Sequence, residues 1–471
     1  MFKAAFYETE VTPPLGSFVP GHYARIYTED VRDRLYIKSV VIDNGTHTVA
    51  TVVLDCVELP ADCYDIIYKR VEEYTGIKSK NITISANHTH AGASTKSYPE
   101  INAYHDLGYA QNVIKLMADC IILAYRRLEP VSISYACGKV YDISFNRNFV
   151  MRDGRITTNT GRDRDEITPL SLPDDIPVVK FEDAHNLPGA KIVNPNCVGN
   201  LSGIDPDFPV LFFKNSEGRM IGCLSCFACH QTASGAKQSS GDYSSVLSKE
   251  LKSAYGNDFV SLFLIGTAGD INHVDFSRTE CKKDIYKIMG KRLADEVKRL
   301  EADAEEITDY TIGAKKEMLT FERRPADLDT LVTLAEDFVR DKSPSRKMML
   351  RNVLAYEARG YNDKLEAYVQ CIRIGDVYFY ALPGEMFVDF GLYIKENSPS
   401  GKNIIAELSN GPYDGYIPTR EVFHPNSSLY EKALCEGSCM EECGGYVISD
   451  KAIELAKSLA VGRLSELVSE L

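Results

Sequence analysis

Positive charge is in deficit along this chain. Lys and Arg together number 53 against 67 Asp plus Glu, a formal charge of −14 over 471 residues. No segment gathers basic residues over more than a few positions, so a phosphate backbone would be repelled and nucleic acid is excluded as an expected partner. Long apolar runs are missing too: no uncharged stretch approaches the ~20 residues that span a bilayer, so stable membrane insertion is not expected. The opening Met1-Phe2-Lys3-Ala4-Ala5-Phe6-Tyr7 enters what reads as a first strand. It lacks the basic stretch, apolar run and small-residue cleavage site of a secretory signal, and the expected location is the cytoplasm.

There is no internal repeat, low-complexity tract or Pro/Ser-rich linker. What remains is 44% hydrophobic and 25% charged, the make-up of a globular protein with a substantial core. An odd count of thirteen cysteines, without a regular framework, fits reduced and mostly buried thiols. In Cys223-x-x-Cys226-x-x-Cys229, on a strand, Cys226 would face away from the other two, so one site using all three is awkward. Cys435-x-x-x-Cys439-x-x-x-Cys443 reads as part of a glycine-rich surface loop.

Strand-like runs at 39–42, 49–54, 81–85, 131–136, 210–213, 259–265, 368–374 and 377–382 interleave with helix-like periodicity at 61–74, 107–128, 244–255, 282–300 and 451–468. That alternation predicts an α/β fold, a large mixed β-sheet core flanked by helices. Residues 323–361 read as two charged amphipathic helices, an inserted helical hairpin within one domain spanning 1–471. The Asn-, Asp- and Pro-rich stretch from 143 to 205 is a long segment of little periodicity, which in a compact domain is usually functional.

Against this background, Ser85-Ala86-Asn87-His88-Thr89-His90-Ala91-Gly92 stands out: two of only nine histidines sit one residue apart where a strand runs out. On a strand, positions i and i+2 share a face, so both rings can reach one point. Open α/β sheets place ligand crevices at the carboxyl ends of strands, and imidazole is a common zinc ligand. Two histidines satisfied by ordinary hydrogen bonds would also explain the pair. Other segments have the same character. Phe227-Ala228-Cys229-His230 ends an apolar run in a histidine, Leu264-Ile265-Gly266-Thr267-Ala268-Gly269-Asp270-Ile271-Asn272-His273 ends another in small and then polar residues, and Leu382-Pro383-Gly384-Glu385 delivers a carboxylate after a turn. A shared crevice accounts for all of them together.

These segments, with Val11-Thr12-Pro13-Pro14-Leu15-Gly16, Gly241-Asp242-Tyr243 and Gly415-Tyr416-Ile417-Pro418-Thr419-Arg420-Glu421, resemble in order and type the catalytic domain of the neutral/alkaline (non-lysosomal) ceramidase family, over roughly residues 5 to 430. The resemblance implies a zinc amidase with one Zn2+ per chain, held by His88, His230, Glu385 and Tyr416, with His90 beside the metal as a catalytic imidazole. It departs from the family at Asn272, which stands where the family's ceramidases carry a serine, and in ending at Leu471 without a C-terminal immunoglobulin-like domain.

The expected chemistry is hydrolysis of an amide (N-acyl) bond of a small or medium polar substrate by metal-activated water. His90 would serve as base and then acid, and Asn272 and Arg147 would hold developing negative charge. Asp270 and Asp55 are candidates to orient the ligand histidines, and His22 to line the pocket mouth. An ester, phosphoester or sugar-derived substrate, or a non-catalytic zinc-binding protein, are the alternatives; the oligomeric state is not legible.

Overall fold

A computed structural model describes residues 1–22, 25–97, 104–159, 175–280, 282–324, 364–413, 415–435 and 440–469, with scattered helical positions between 329 and 354. The expected helical hairpin at 323–361 and Cys439 fall largely or wholly outside these residues.

The largest sheet contains β1 (Phe2–Glu10), β2 (Tyr36–Asp43), β3 (Thr48–Leu54), β4 (Ile82–Ala86), β5 (Glu129–Lys139), β6 (Asp207–Asn215), β7 (Met220–Phe227) and β8 (Val260–Ile265). Their spatial order is β8-β7-β6-β5-β1-β2-β3-β4, with the short β9 (Glu305–Glu306) added to β5. The middle strands pair antiparallel. At each edge a parallel pair appears, β3 with β4 and β7 with β8. Parallel pairing requires a crossover, and helices supply it: α1 (Cys63–Thr75) links β3 to β4, and α3 (Asp242–Tyr255) links β7 to β8.

A second sheet contains β10 (Ile312–Phe321), β11 (Leu365–Ile374), β12 (Val377–Ala381) and β14 (Asn403–Ala406). It repeats the device, for β12 and β14 are parallel and α5 (Val388–Asn397) joins them. Its inner face meets the large sheet through Ile372, Ile374, Phe379 and Ile404 against Phe2, Val40, Leu211 and Leu224. The outer face of the large sheet is covered by α1, α2 (Leu107–Tyr125), α3 and α4 (Ile285–Leu300). That of the second sheet is covered by α5 and α6 (Gly444–Ser469). The result is a helix–sheet–sheet–helix stack, each layer burying one apolar face against the next. The mixed α/β expectation holds. Among the described residues α2 is long and apolar enough to cross a membrane by length and composition, but it packs on β1, β2 and β3.

The large sheet curls until its two edges approach: β8 touches β2, β3 and β4. Residues 407–410 sit at the seam, where Glu407 N–H donates to Ile265 O on β8 while Leu408 and Asn410 bond to Ala86 and Ile84 on β4. The carboxyl ends of β4 and β7, at opposite edges of the sheet order, thereby meet. Cys223 and Cys229 lie in the helix-side core and Cys226 between the sheets, as strand alternation requires.

Candidate metal centre

Each βαβ unit sends one polar residue to this seam. His88 follows β4, His230 follows β7, and Glu385 follows β12, opening the two-residue β13 (Glu385–Met386). β13 pairs in parallel with β15 (Tyr416–Ile417), and the register sets Glu385 opposite Tyr416. The four residues come from four separate segments, and the fold alone brings them together.

The route differs in one respect from the strand pleat expected for His88-Thr89-His90. β4 ends at Ala86, and His88 has φ 67°, a left-handed conformation. The rings of His88 and His90 therefore meet through a turn, at 4.7 Å between centroids and 89° between planes. Side-chain hydrogen bonds hold the turn. Asn87 Nδ2 donates to Asp55 Oδ1 and Ser244 Oγ, its Oδ1 accepts from Thr89 N–H, and Gln231 Nε2 donates to Asn87 O. Gln231 O also accepts from His90 N–H, so the segments carrying His88 and His230 are tied directly.

Each ring points the same atom inward. His88 Nδ1 lies 3.0 Å from Val57 O, His90 Nδ1 3.0 Å from Gly21 O, and His230 Nδ1 2.7 Å from Ala268 O. A carbonyl can only accept, so every Nδ1 carries a proton and every neutral Nε2 presents a lone pair. These lone pairs converge. The ligand atoms of the three histidines lie within 4.8 Å of one another, and Glu385 Oε2 sits 3.4 Å from His88 Nε2 and 3.3 Å from His230 Nε2. His90 and His88 face each other Nε2 to Nε2 at 3.2 Å. His230 Nε2 and Glu385 Oε2 are buried without a hydrogen-bond partner. Acceptors crowded about one point with no donor are costly unless a cation sits there; the donor set fits a divalent metal, and zinc in particular.

The electrostatics agree. Burial alone would lower the His88 imidazole, but Glu385 holds it above its usual range. Burial, with the neighbouring rings, keeps His90 well below; burial and then Arg147 bring His230 down to about 4. Glu385 is held well below the carboxylate range by His88 and His230, against its own burial. The site favours one positive charge beside Glu385 and opposes a second.

Arg147 is buried. It pairs with Glu431 at 3.0 Å, donates to Gly269 O at 2.6 Å and reaches Tyr416 Oη at 3.3 Å. Glu431 lies 284 positions away and no motif marks it. Asn272 donates to Asn159 Oδ1 and accepts from Val274 N–H. His22 Nε2 bonds to His90 O at 2.8 Å, placing it against the catalytic candidate. His273 lies near Thr232.

Two expectations are corrected. Asp270 accepts from Asn146 Nδ2 and Val388 N–H, and Asp55 from Tyr36 N–H and Asn87 Nδ2. Neither carboxylate touches a ligand histidine. Main-chain carbonyls do that work, and a carbonyl leaves no mark on a sequence.

No family model matches the chain. A curated relative, the neutral ceramidase of Pseudomonas aeruginosa, is 23% identical over 166 residues, which is 34% of this chain and 19% of the relative. The match thus spans about a fifth of that protein's length. The crystal structure of neutral ceramidase from Pseudomonas aeruginosa superposes with a TM-score of 0.71 at 16% identity, covering 97% of this chain and 74% of that one. A ceramidase complexed with C2 superposes at 0.67, again at 16% identity, covering 98% and 75%.

Proposed function

From a chain with the fold of neutral ceramidase and this convergence of acceptors, we propose a zinc-dependent hydrolase that cleaves the amide bond of an N-acyl substrate. The observation that carries the reading is the inward aim of three Nε2 atoms and one carboxylate oxygen, each ring locked in its tautomer by a main-chain carbonyl. His88, His230 and Glu385 would hold the ion, with Tyr416 completing the set from the strand paired with Glu385. When bound, such an ion supplies Lewis acidity toward the scissile carbonyl and acidifies its water.

The chain's own groups do the rest. His90 is neutral, with Nδ1–H committed to Gly21 O, so its Nε2 is the atom that accepts a proton and later returns it to the departing amine. Arg147 is fixed between Glu431 and Tyr416 and positions the phenol. Asn272 keeps one amide hydrogen in its bond to Asn159; its second has no acceptor among the described residues and is the donor for an oxyanion. Asparagine in this place cannot act as a nucleophile, so the hydroxyl that attacks comes from water.

The substrate class to test first is ceramide and its short-chain N-acyl analogues, alongside N-acyl amides of polar amines and ester and phosphoester controls. Zinc-loaded protein is expected to release fatty acid or acyl acid only from amides, with about one metal per chain by elemental analysis. A metal-loaded protein that turns over none of the panel sinks the hydrolase reading and leaves a metal-binding protein.

A further inference from the structure

At the amino end of β4, the end away from His88, lies a cavity of about 290 Å³. It is walled by Tyr68 of α1, Ser79 and Lys80 of the turn before β4, Lys316 of β10 and Tyr368 of β11. The Lys316 ammonium sits between the two tyrosines, 4.2 Å from the Tyr68 ring centre and 4.7 Å from that of Tyr368. It donates to Tyr68 Oη at 2.5 Å, and that hydroxyl passes its own hydrogen to Asn410 Oδ1 at 2.9 Å. Of three N–H bonds, Lys316 therefore spends one; the others have no acceptor among the described residues. Aromatic faces favour the ammonium form, but they supply no counter-charge.

The rest of the wall is unbalanced in the same sense. Glu72 is engaged by Lys78 at 2.5 Å, leaving Asp65 against Lys69, Lys80 and Lys316. Neither Lys69 nor Lys80 makes an ion pair among the described residues. We propose that this cavity is a binding site for a small phosphate monoester, its phosphate group received by Lys316, Lys80 and Lys69. Ammonium groups act on phosphate as point charges, and the Ser79 hydroxyl is a further donor within the wall. Burial pulls Lys316 down to about 7, with Asp65 working the other way; a desolvated cation of this kind gains most from an arriving dianion.

The site is remote from the metal centre, so its test does not depend on hydrolysis. Inorganic phosphate and glycerol phosphate are titrated calorimetrically into the full-length protein at fixed ionic strength, with and without chelator. Saturable binding at one site per chain, indifferent to the chelator, is expected. Lys316→Met should weaken it at least tenfold, and Lys69→Gln with Lys80→Gln several-fold. Vesicles carrying phosphatidic acid form the second arm and tell a lipid headgroup from a free phosphate. If Lys316→Met fails to fold, the Lys69/Lys80 double variant decides. Absence of saturable binding in both arms, or variants that bind as the parent does, overturns the proposal.

Discussion

His230 shows how much one side chain does here. Its Nδ1 is used by Ala268 O and its Nε2 is left bare beside Glu385. His230→Ala should reduce bound metal from about one per chain to a small fraction and lower kcat/KM by at least ~10³-fold, since truncating a ligand removes the ion whose chemistry the site needs. Elemental analysis and amidase assays check both. Arg147 makes a different case. Arg147→Met strands the fully buried Glu431 and should cost roughly 3–5 kcal/mol of stability, largely recovered in Arg147→Met/Glu431→Gln; denaturant unfolding measures it.

His185 carries a pH dependence. Its Nε2 accepts from Asn146 N–H at 3.0 Å and burial pulls it to about 4. The unfolded chain then binds the proton first, so stability falls as pH drops from 6.5 toward 4, by up to about 3 kcal/mol from this residue. Asp270, raised by burial to about 7, and Asp55 and Asp242, raised to about 6, act in the opposite sense over that window. The test is therefore a comparison of the parent with His185→Gln at pH 7.5 and 4.5, in which the variant loses this part of the acid destabilisation. At this scale the sequence was partly legible. Imidazoles at strand ends announce themselves by type, so His88, His90 and His230 could be picked out, whereas Glu385 and Tyr416 entered as ligands only through the family resemblance. The carbonyls of Gly21, Val57 and Ala268 could not, because every residue carries one.

Among the elements, the paired β13 and β15 matter most for the centre. Gly384 precedes them with φ 58°, and a Cβ there would stand 2.4 Å from Gly415 O. Gly384→Ala should therefore part the two strands, shift Glu385 from the imidazoles and lower metal occupancy while the far-ultraviolet circular dichroism stays unchanged. Strands with apolar runs, such as β8, were readable because burial on both faces demands them. β10 was not: its Lys315, Glu317 and Met318 are exposed, so its apolar pattern is thin. The 143–205 segment looked featureless because its described strands are only two to four residues long, and one of them, Phe145–Asn146, finds its partner far along the chain at Ile271–Asn272.

For the molecule as a whole, an ion bound at the proposed site would tie both sheets at the seam. Chelation should lower the unfolding free energy by RT ln(1 + [metal]/Kd), about 2.7 kcal/mol at a free concentration one hundred times Kd. Unfolding monitored at graded zinc activity checks the logarithmic form, and a stability indifferent to zinc counts against the site. The layered fold was legible from alternating strands and helices; the curl that joins the sheet's edges was not, since it depends on residues 407–410 bonding to both.

That seam has a consequence for biosynthesis. The groups that would grip the ion begin at residue 88 and are not complete until residue 416 has emerged from the ribosome. A nascent chain, or one cut short before the second sheet, would hold the imidazoles without their carboxylate. The full ligand set would then come together only once the second sheet has folded against the first.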